Sequence, residues 1–180
     1  MISRRTLLRM TGAALIGAAA APVLRADLID LGNNDRTLSF VNTHTQESLQ
    51  ACYFKSGSFC SDSLAQIDHI LRDHRTGDIK RMDRKLLDLL YVLRRRLHTD
   101  RPFHIISGYR SPATNEMLRQ KSGGIAKNSL HLHGKAVDIR VPHTPLKHLY
   151  KTARGLKAGG VGYYAASNFV HVDIGRVRYW

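Results

Sequence analysis

The sequence has 180 residues, the size of one ordinary domain. With 43% hydrophobic and 23% charged residues it is globular, which excludes a disordered tail or a fibrous repeat; two cysteines exclude a disulfide scaffold and a structural four-cysteine zinc site. The formal net charge of +14 predicts a surface that attracts anions.

Residues 1–26 read as an export signal. Ser3-Arg4-Arg5-Thr6-Leu7-Leu8-Arg9 resembles a twin-arginine motif. An uncharged, Ala-rich run from Met10 to Ala21 follows, too short for a spanning helix of about 20 residues. Leu24-Arg25-Ala26 supplies a cleavage site. An uncleaved N-terminal anchor is the other reading. Losing the segment removes four arginines and no acid, which leaves a net charge of +10 on residues 27–180. That length suffices for one core. The expected destination is the periplasm, where Cys52 and Cys60 are free to pair. Their spacing across a Gly-containing loop permits a bridge without requiring one.

Residues 36–42 and 48–54 read as a strand hairpin. Residues 61–75 read as a helix capped by Ser61, with Leu64, Ile67, Ile70 and Leu71 as its apolar stripe. A second helix is expected over 83–97, its Arg94-Arg95-Arg96 run suiting the negative end of the helix dipole. Residues 103–107 form a short strand. Ser111-Pro112 starts the next helix, and Ser122-Gly123-Gly124 ends it. After a strand over 136–141, Thr144-Pro145 opens a helix to about 157. Gly159-Gly160 stops that helix, and strands follow over 161–164 and 169–174. Helices come early and strands cluster late. The expected class is α+β, with a small antiparallel sheet packed against helices.

The chemistry concentrates in the last third. Alternate side chains of a strand share a face. In the strand over 136–141, Val137, Ile139 and Val141 share an apolar face, while Asp138 and Arg140 share the other. In the strand over 169–174, Val170, Val172 and Ile174 are apolar, while His171 and Asp173 lie opposite. If these strands are neighbours, Asp138 and His171 point into one cleft. His131 stands seven residues before Asp138, on a loop that Gly134 lets turn sharply. Two imidazoles and a carboxylate are a usual ligand set for catalytic zinc, with the fourth position left to water. Ordinary hydrogen-bonding histidines are the alternative.

Ser129-Leu130-His131-Leu132-His133-Gly134-Lys135-Ala136-Val137-Asp138 matches the pattern S-x-H-x-x-G-x-A-x-D. This resembles the signature of the zinc D-Ala-D-Ala metallopeptidase group, related to lysostaphin and the hedgehog N-terminal domain. The resemblance implies one zinc ion held by His131, Asp138 and His171. The segment Ser107-Gly108-Tyr109-Arg110-Ser111 matches a further element, whose Arg110 is implied to hold substrate. The run Gly159-Gly160-Val161-Gly162-Tyr163-Tyr164 and the closing Trp180 resemble one branch, the exported murein endopeptidases of K type. The likeness covers about residues 37–180.

One position departs from the pattern. Many relatives carry Glu, Asp or His three residues before the last ligand, as general base; here that residue is Asn168. Asp173 is the first candidate for the base and His133 the second; either could instead orient a ligand. Arg110 is the candidate grip for a carbonyl or carboxylate, with a buried ion pair as the alternative. Tyr109, Tyr163 and Tyr164 line the cleft or pack the core. The expected function is hydrolysis of peptide cross-links in peptidoglycan by a monomer. D-Ala carboxypeptidase action and non-hydrolytic cell-wall binding are the runners-up. Nucleic-acid binding rests on charge alone and finds no reader motif.

Overall fold

The computed structural model describes residues 31–32, 34–121 and 124–180. The expected export signal over 1–26 lies outside them, as do Ser122 and Gly123 of the expected helix stop. The elements in chain order are β1 (Arg36–Asn42), β2 (Ser48–Lys55), β3 (Ser58–Phe59), α1 (Ser61–Ile70), α2 (Arg84–Arg96), β4 (Phe103–Ser107), α3 (Pro112–Lys121), β5 (Ala136–Arg140), α4 (Leu146–Leu156), β6 (Gly160–Tyr164), β7 (Phe169–Asp173) and β8 (Arg178–Tyr179). A short 3-10 turn, Leu130–His133, precedes β5.

The strands of the described residues form one sheet in the order β3-β2-β1-β4-β5-β7-β6-β8. The α+β class holds. The sheet is larger than the expected small antiparallel one and is mixed, because β1 pairs parallel with β4 and β6 with β8. The β1–β4 pair is parallel because α1 and α2 intervene, and such a crossover returns the chain in the same direction. Apolar residues of α2 pack on the sheet: Leu86, Leu87, Leu90 and Leu93 are fully buried with Leu38, Phe40, Ile105 and Ile139. Asp83 caps this helix by accepting from Lys85 N at 3.0 Å. No helix among the described residues is long and apolar enough to cross a membrane.

Two helices differ from expectation at their ends. Helix α1 stops at Ile70 rather than 75, and Cys60 rather than Ser61 is its cap residue. The chain leaves the helix because Leu71 O accepts from Tyr109 N at 2.7 Å, while Asp73 accepts from Arg75 N and Ser111 N. Helix α4 begins at Leu146, with Pro145 as its cap residue. Helix α3 starts as expected, Ser111 Oγ accepting from Thr114 N at 3.2 Å.

Cys52 and Cys60 are both free. Cys60 N bonds Tyr53 O, which continues the β2–β3 ladder and sets Cys60 opposite Tyr53. Neighbours on a strand face opposite ways, so Cys52 lies on the other side of that ladder.

Candidate metal centre

The centre is assembled from three backbone devices. The first is the turn before β5. Ser129 Oγ accepts from His131 N at 3.4 Å, which starts the 3-10 turn, and Gly134 ends it with φ 62°. A β-carbon at Gly134 would stand 2.5 Å from Arg81 O, so this turn needs glycine for both its dihedral and its space. Inside the turn His131 is buried.

The second device is strand register. Strands β5 and β7 are antiparallel neighbours, and Asp138 lies directly opposite His171. Directly opposed side chains share a face with β-carbons about 5 Å apart. The third is an irregularity between β4 and β5, where the register shifts between Ile105 and Ser107. It leads into Gly108, whose carbonyl accepts from His131 Nδ1 at 2.7 Å.

Together these place His131 Nε2, Asp138 Oδ1 and His171 Nδ1 at the corners of a triangle. Its sides are 3.2 Å between the nitrogens, 3.3 Å from His131 to Asp138 and 2.8 Å from His171 to Asp138. Tetrahedral zinc with bonds of about 2.0–2.1 Å sets its ligands about 3.3 Å apart. Both outer ring nitrogens are engaged: His131 Nδ1 donates to Gly108 O, and His171 Nε2 donates to Asp173 Oδ2 at 3.0 Å. When the rings are neutral, that leaves a lone pair on each inner nitrogen, the arrangement found in metal-binding histidines. These residues could hold a metal ion, and their spacing fits zinc.

Electrostatics follow from the crowding. Burial raises the Asp138 carboxyl, but His131 and His171 more than offset it and hold it below the usual carboxylate range. Burial pushes His171 down, while hydrogen bonds to Asp138 and Asp173 push it up to about 9. Metal-free His171 therefore carries a proton at neutral pH, and an incoming cation must displace it. Below pH 9, apparent zinc affinity should fall by about tenfold per pH unit, and it should level off above that. Zinc titrations at several pH values in competing chelator check this; affinity independent of pH between 6 and 9 contradicts it.

The triangle opens onto a cleft of about 350 Å³. Arg110 forms part of its wall, with Nη2 3.7 Å from Asp138 Oδ2 and Nη1 donating to Asn115 Oδ1 at 3.4 Å. Its buried Nε has no hydrogen-bond partner among the described residues. Tyr164 also lines the cleft, whereas Tyr163 packs at a tilt against Tyr150 and Tyr109 packs against the core.

The two candidates for the base, Asp173 and His133, lie off the triangle, and so does Asn168. Asp173 is fully buried on the far edge of the His171 ring from the triangle. Its oxygens also accept from Gly160 N, Gly175 N and both terminal nitrogens of Arg178. His133 is exposed at the end of the 3-10 turn and does not line the cleft. Asn168 sits exposed in the turn joining β6 and β7, with φ 52°. Asn tolerates that left-handed conformation better than most residues, which is a local reason for its presence.

Arg178, Phe169 and the indole of Trp180 line the cleft as well, and nothing in the strand patterns singled them out. The signal was the alternation Gly160-Val161-Gly162. A β-carbon at Gly160 would stand 2.5 Å from Arg178, and one at Gly162 2.6 Å from the Trp180 ring. Glycines on one face of a strand mark a close approach there.

Comparison with known proteins agrees with the geometry. Residues 31–180 match the family model described as peptidoglycan L,D-endopeptidase MepK. The chain belongs to this family. It is 42% identical over 178 residues to the peptidoglycan L,D-endopeptidase MepK of Escherichia coli K12, covering 99% of this chain and 97% of that one. The Shigella flexneri protein of the same name is as similar, at 42% identity. A probable peptidoglycan L,D-endopeptidase MepK from Haemophilus influenzae is 41% identical over 146 residues, 81% of this chain and 78% of that one. The resemblance carried by residues 129–138 thus extends through nearly the whole chain. It places the protein among the metallopeptidases of the zinc D-Ala-D-Ala peptidase-like superfamily, in the MepK branch.

Proposed function

We propose that the protein is a zinc-dependent murein endopeptidase that hydrolyses the amide bond of L,D cross-links between stem peptides. The observation that carries this is the His131–Asp138–His171 triangle, buried yet open to a cleft walled by Arg110. His131, Asp138 and His171 would hold the ion. When bound, zinc supplies Lewis-acid polarisation and lowers the pKa of water.

The remaining roles belong to the chain. Arg110 grips the substrate carbonyl or a carboxylate: it lines the cleft beside Asp138, and its guanidinium is always charged. Asp173 positions His171 by accepting the Nε2 proton, which keeps the Nδ1 lone pair aimed at the triangle. Arg178, Gly160 and Gly175 in turn hold the Asp173 carboxylate. His133 takes no part. Asn168 offers no support for a non-hydrolytic protein, because it stands outside the cleft. A monomer is the proposed state, and the excess of basic groups suits an anionic wall.

The test is digestion of defined muropeptides followed by mass analysis. An L,D-cross-linked dimer should yield two stem peptides. Release of a terminal D-Ala from a pentapeptide, with the dimer untouched, would replace this reading by a carboxypeptidase.

The site of action proposed is the periplasm, reached by the twin-arginine route. Changing Arg4 and Arg5 together to Lys keeps the charge but removes the paired guanidinium groups. The precursor should then accumulate in the cytoplasm. Cell fractionation checks it, and undiminished export of the double variant points to the general secretory route.

A further inference from the structure

The part of the cleft formed by Trp180, Tyr164 and Phe169 has a chemistry of its own. Trp180 sets its indole 5.3 Å from the His171 ring, at 44°. The indole N–H donates to the Tyr164 hydroxyl at 2.8 Å, and Tyr164 stacks on Phe169 at 4.5 Å. The backbone of Trp180 is pinned to β6 on both sides: its N–H donates to Val161 O, and its carbonyl accepts from Tyr163 N at 2.8 Å. Gly162 makes the room, since any β-carbon there would meet the ring. Arg178 lies over the ring, 5.0 Å from its centroid.

The indole is thus held in place before any ligand arrives, yet 46% of Trp180 remains exposed. Its one polar atom is already used. What it offers a ligand is ring surface, available at little further ordering cost. The cleft is therefore lined by an aromatic group, Trp180, Tyr164 and Phe169, with the Arg178 guanidinium over the indole, and by a second cation at Arg110. A side chain of several methylenes laid along the exposed part of the indole would bury more apolar surface than a single methyl.

We propose that Trp180, braced by Tyr164, is a specificity-determining residue that packs the aliphatic side chain of the stem-peptide residue flanking the bond that is cut. This rests on the endopeptidase reading above. It assigns Trp180 a part in substrate binding and none in the chemical step.

The experiment measures steady-state kinetics and zinc content for wild type, Trp180→Ala, Trp180→Phe and Gly162→Ala. The substrates are an L,D-cross-linked muropeptide and a peptide with alanine at the flanking position. Removing contact that is equal in ground and transition states raises KM and spares kcat. Trp180→Ala should raise KM for the cross-linked substrate about tenfold, with kcat and zinc content near wild type. Trp180→Phe should restore much of the loss. Gly162→Ala leaves the indole present but displaces it, and should raise KM in the same direction. The alanine peptide, which has no chain to lay on the ring, should respond to none of the three. An unchanged KM in Trp180→Ala overturns the proposal. So does a loss of zinc or kcat, which would make Trp180 a support for His171, or an equal loss on the alanine peptide. If wild type fails to cut the cross-linked substrate, the endopeptidase reading falls and takes this proposal with it. If wild type cuts and only the variants fail to respond, the endopeptidase reading stands and this proposal alone is lost.

Discussion

Replacing His171 by Ala should empty the metal site and stop turnover. The side chain offers one of the three atoms that could hold an ion, and its Nδ1 lies 2.8 Å from Asp138 Oδ1. With it gone, His131 and Asp138 remain as two ligands, one fewer than catalytic zinc sites keep. Loss of the ion removes several kcal/mol of charge stabilisation in the transition state, so turnover should fall by roughly 10³-fold or more. The fold should survive. Strand β7 is held between β5 and β6 by backbone bonds, and Asp173 keeps its bonds to Gly160, Gly175 and Arg178. Metal analysis, turnover and thermal unfolding on one preparation check all three statements. Full zinc content with wild-type turnover in this variant would falsify the ligand assignment.

The second large effect is expected at Asp173. This carboxylate accepts five hydrogen bonds and is fully buried. In Asp173→Asn, the amide nitrogen must point a donor at the donors of Arg178, His171 or a backbone amide. The ring of His171 loses its anchor, and zinc affinity should fall by about 10–100-fold, the usual weight of a carboxylate behind a metal-bound histidine. Saturating zinc should then recover much of the turnover. A general base would behave otherwise: zinc would stay bound and turnover would drop by about 10²–10⁴-fold even at saturating metal. Titrating turnover against zinc separates the two outcomes.

Stability should move as well. Burial raises the Asp173 carboxyl, but His171 and the Gly160 and Gly175 amides more than offset this and hold it below the usual range. A depressed folded-state pKa stabilises the protein above the unfolded carboxyl pKa of about 4, and that contribution disappears as the pH falls. The Asn variant should be less stable than wild type at neutral pH by about 1–3 kcal/mol, the range for an unsatisfied buried polar group. The difference should narrow on acidification.

Much of the centre was legible along the chain. Val137, Ile139 and Val141 on one face, with Asp138 on the other, are a period-two pattern that needs no partner to be seen. The same holds for Val170, Val172 and Ile174 against His171 and Asp173. The start of α3 was legible too, because Ser and Pro act within one turn. The end of α1 was not: residues 71–75 continue a helical pattern, but Tyr109 and Ser111, far along the chain, claim Leu71 and Asp73 for the loop that carries Arg110.

Asp173 shows the same division at a single residue. Its position two beyond His171 sets its face, and on that basis alone it could equally have approached the cleft. What turns it to the far edge of the ring is the convergence of two backbone amides and Arg178. His133 is next but one to His131 in sequence, yet the 3-10 turn carries it out to solvent.

By itself, the sequence determined the class of the fold, the face of each strand and the residue types able to bind zinc. These depend on periodicities and caps that act within a few residues. The tertiary structure alone decided which strands lie side by side, and that Asp138 opposes His171. It also decided that Arg178 backs Asp173 and that Trp180 walls the cleft beside Gly162. Those choices depend on strand order and register, which are set by contacts between residues distant along the chain, and local periodicity carries no record of them.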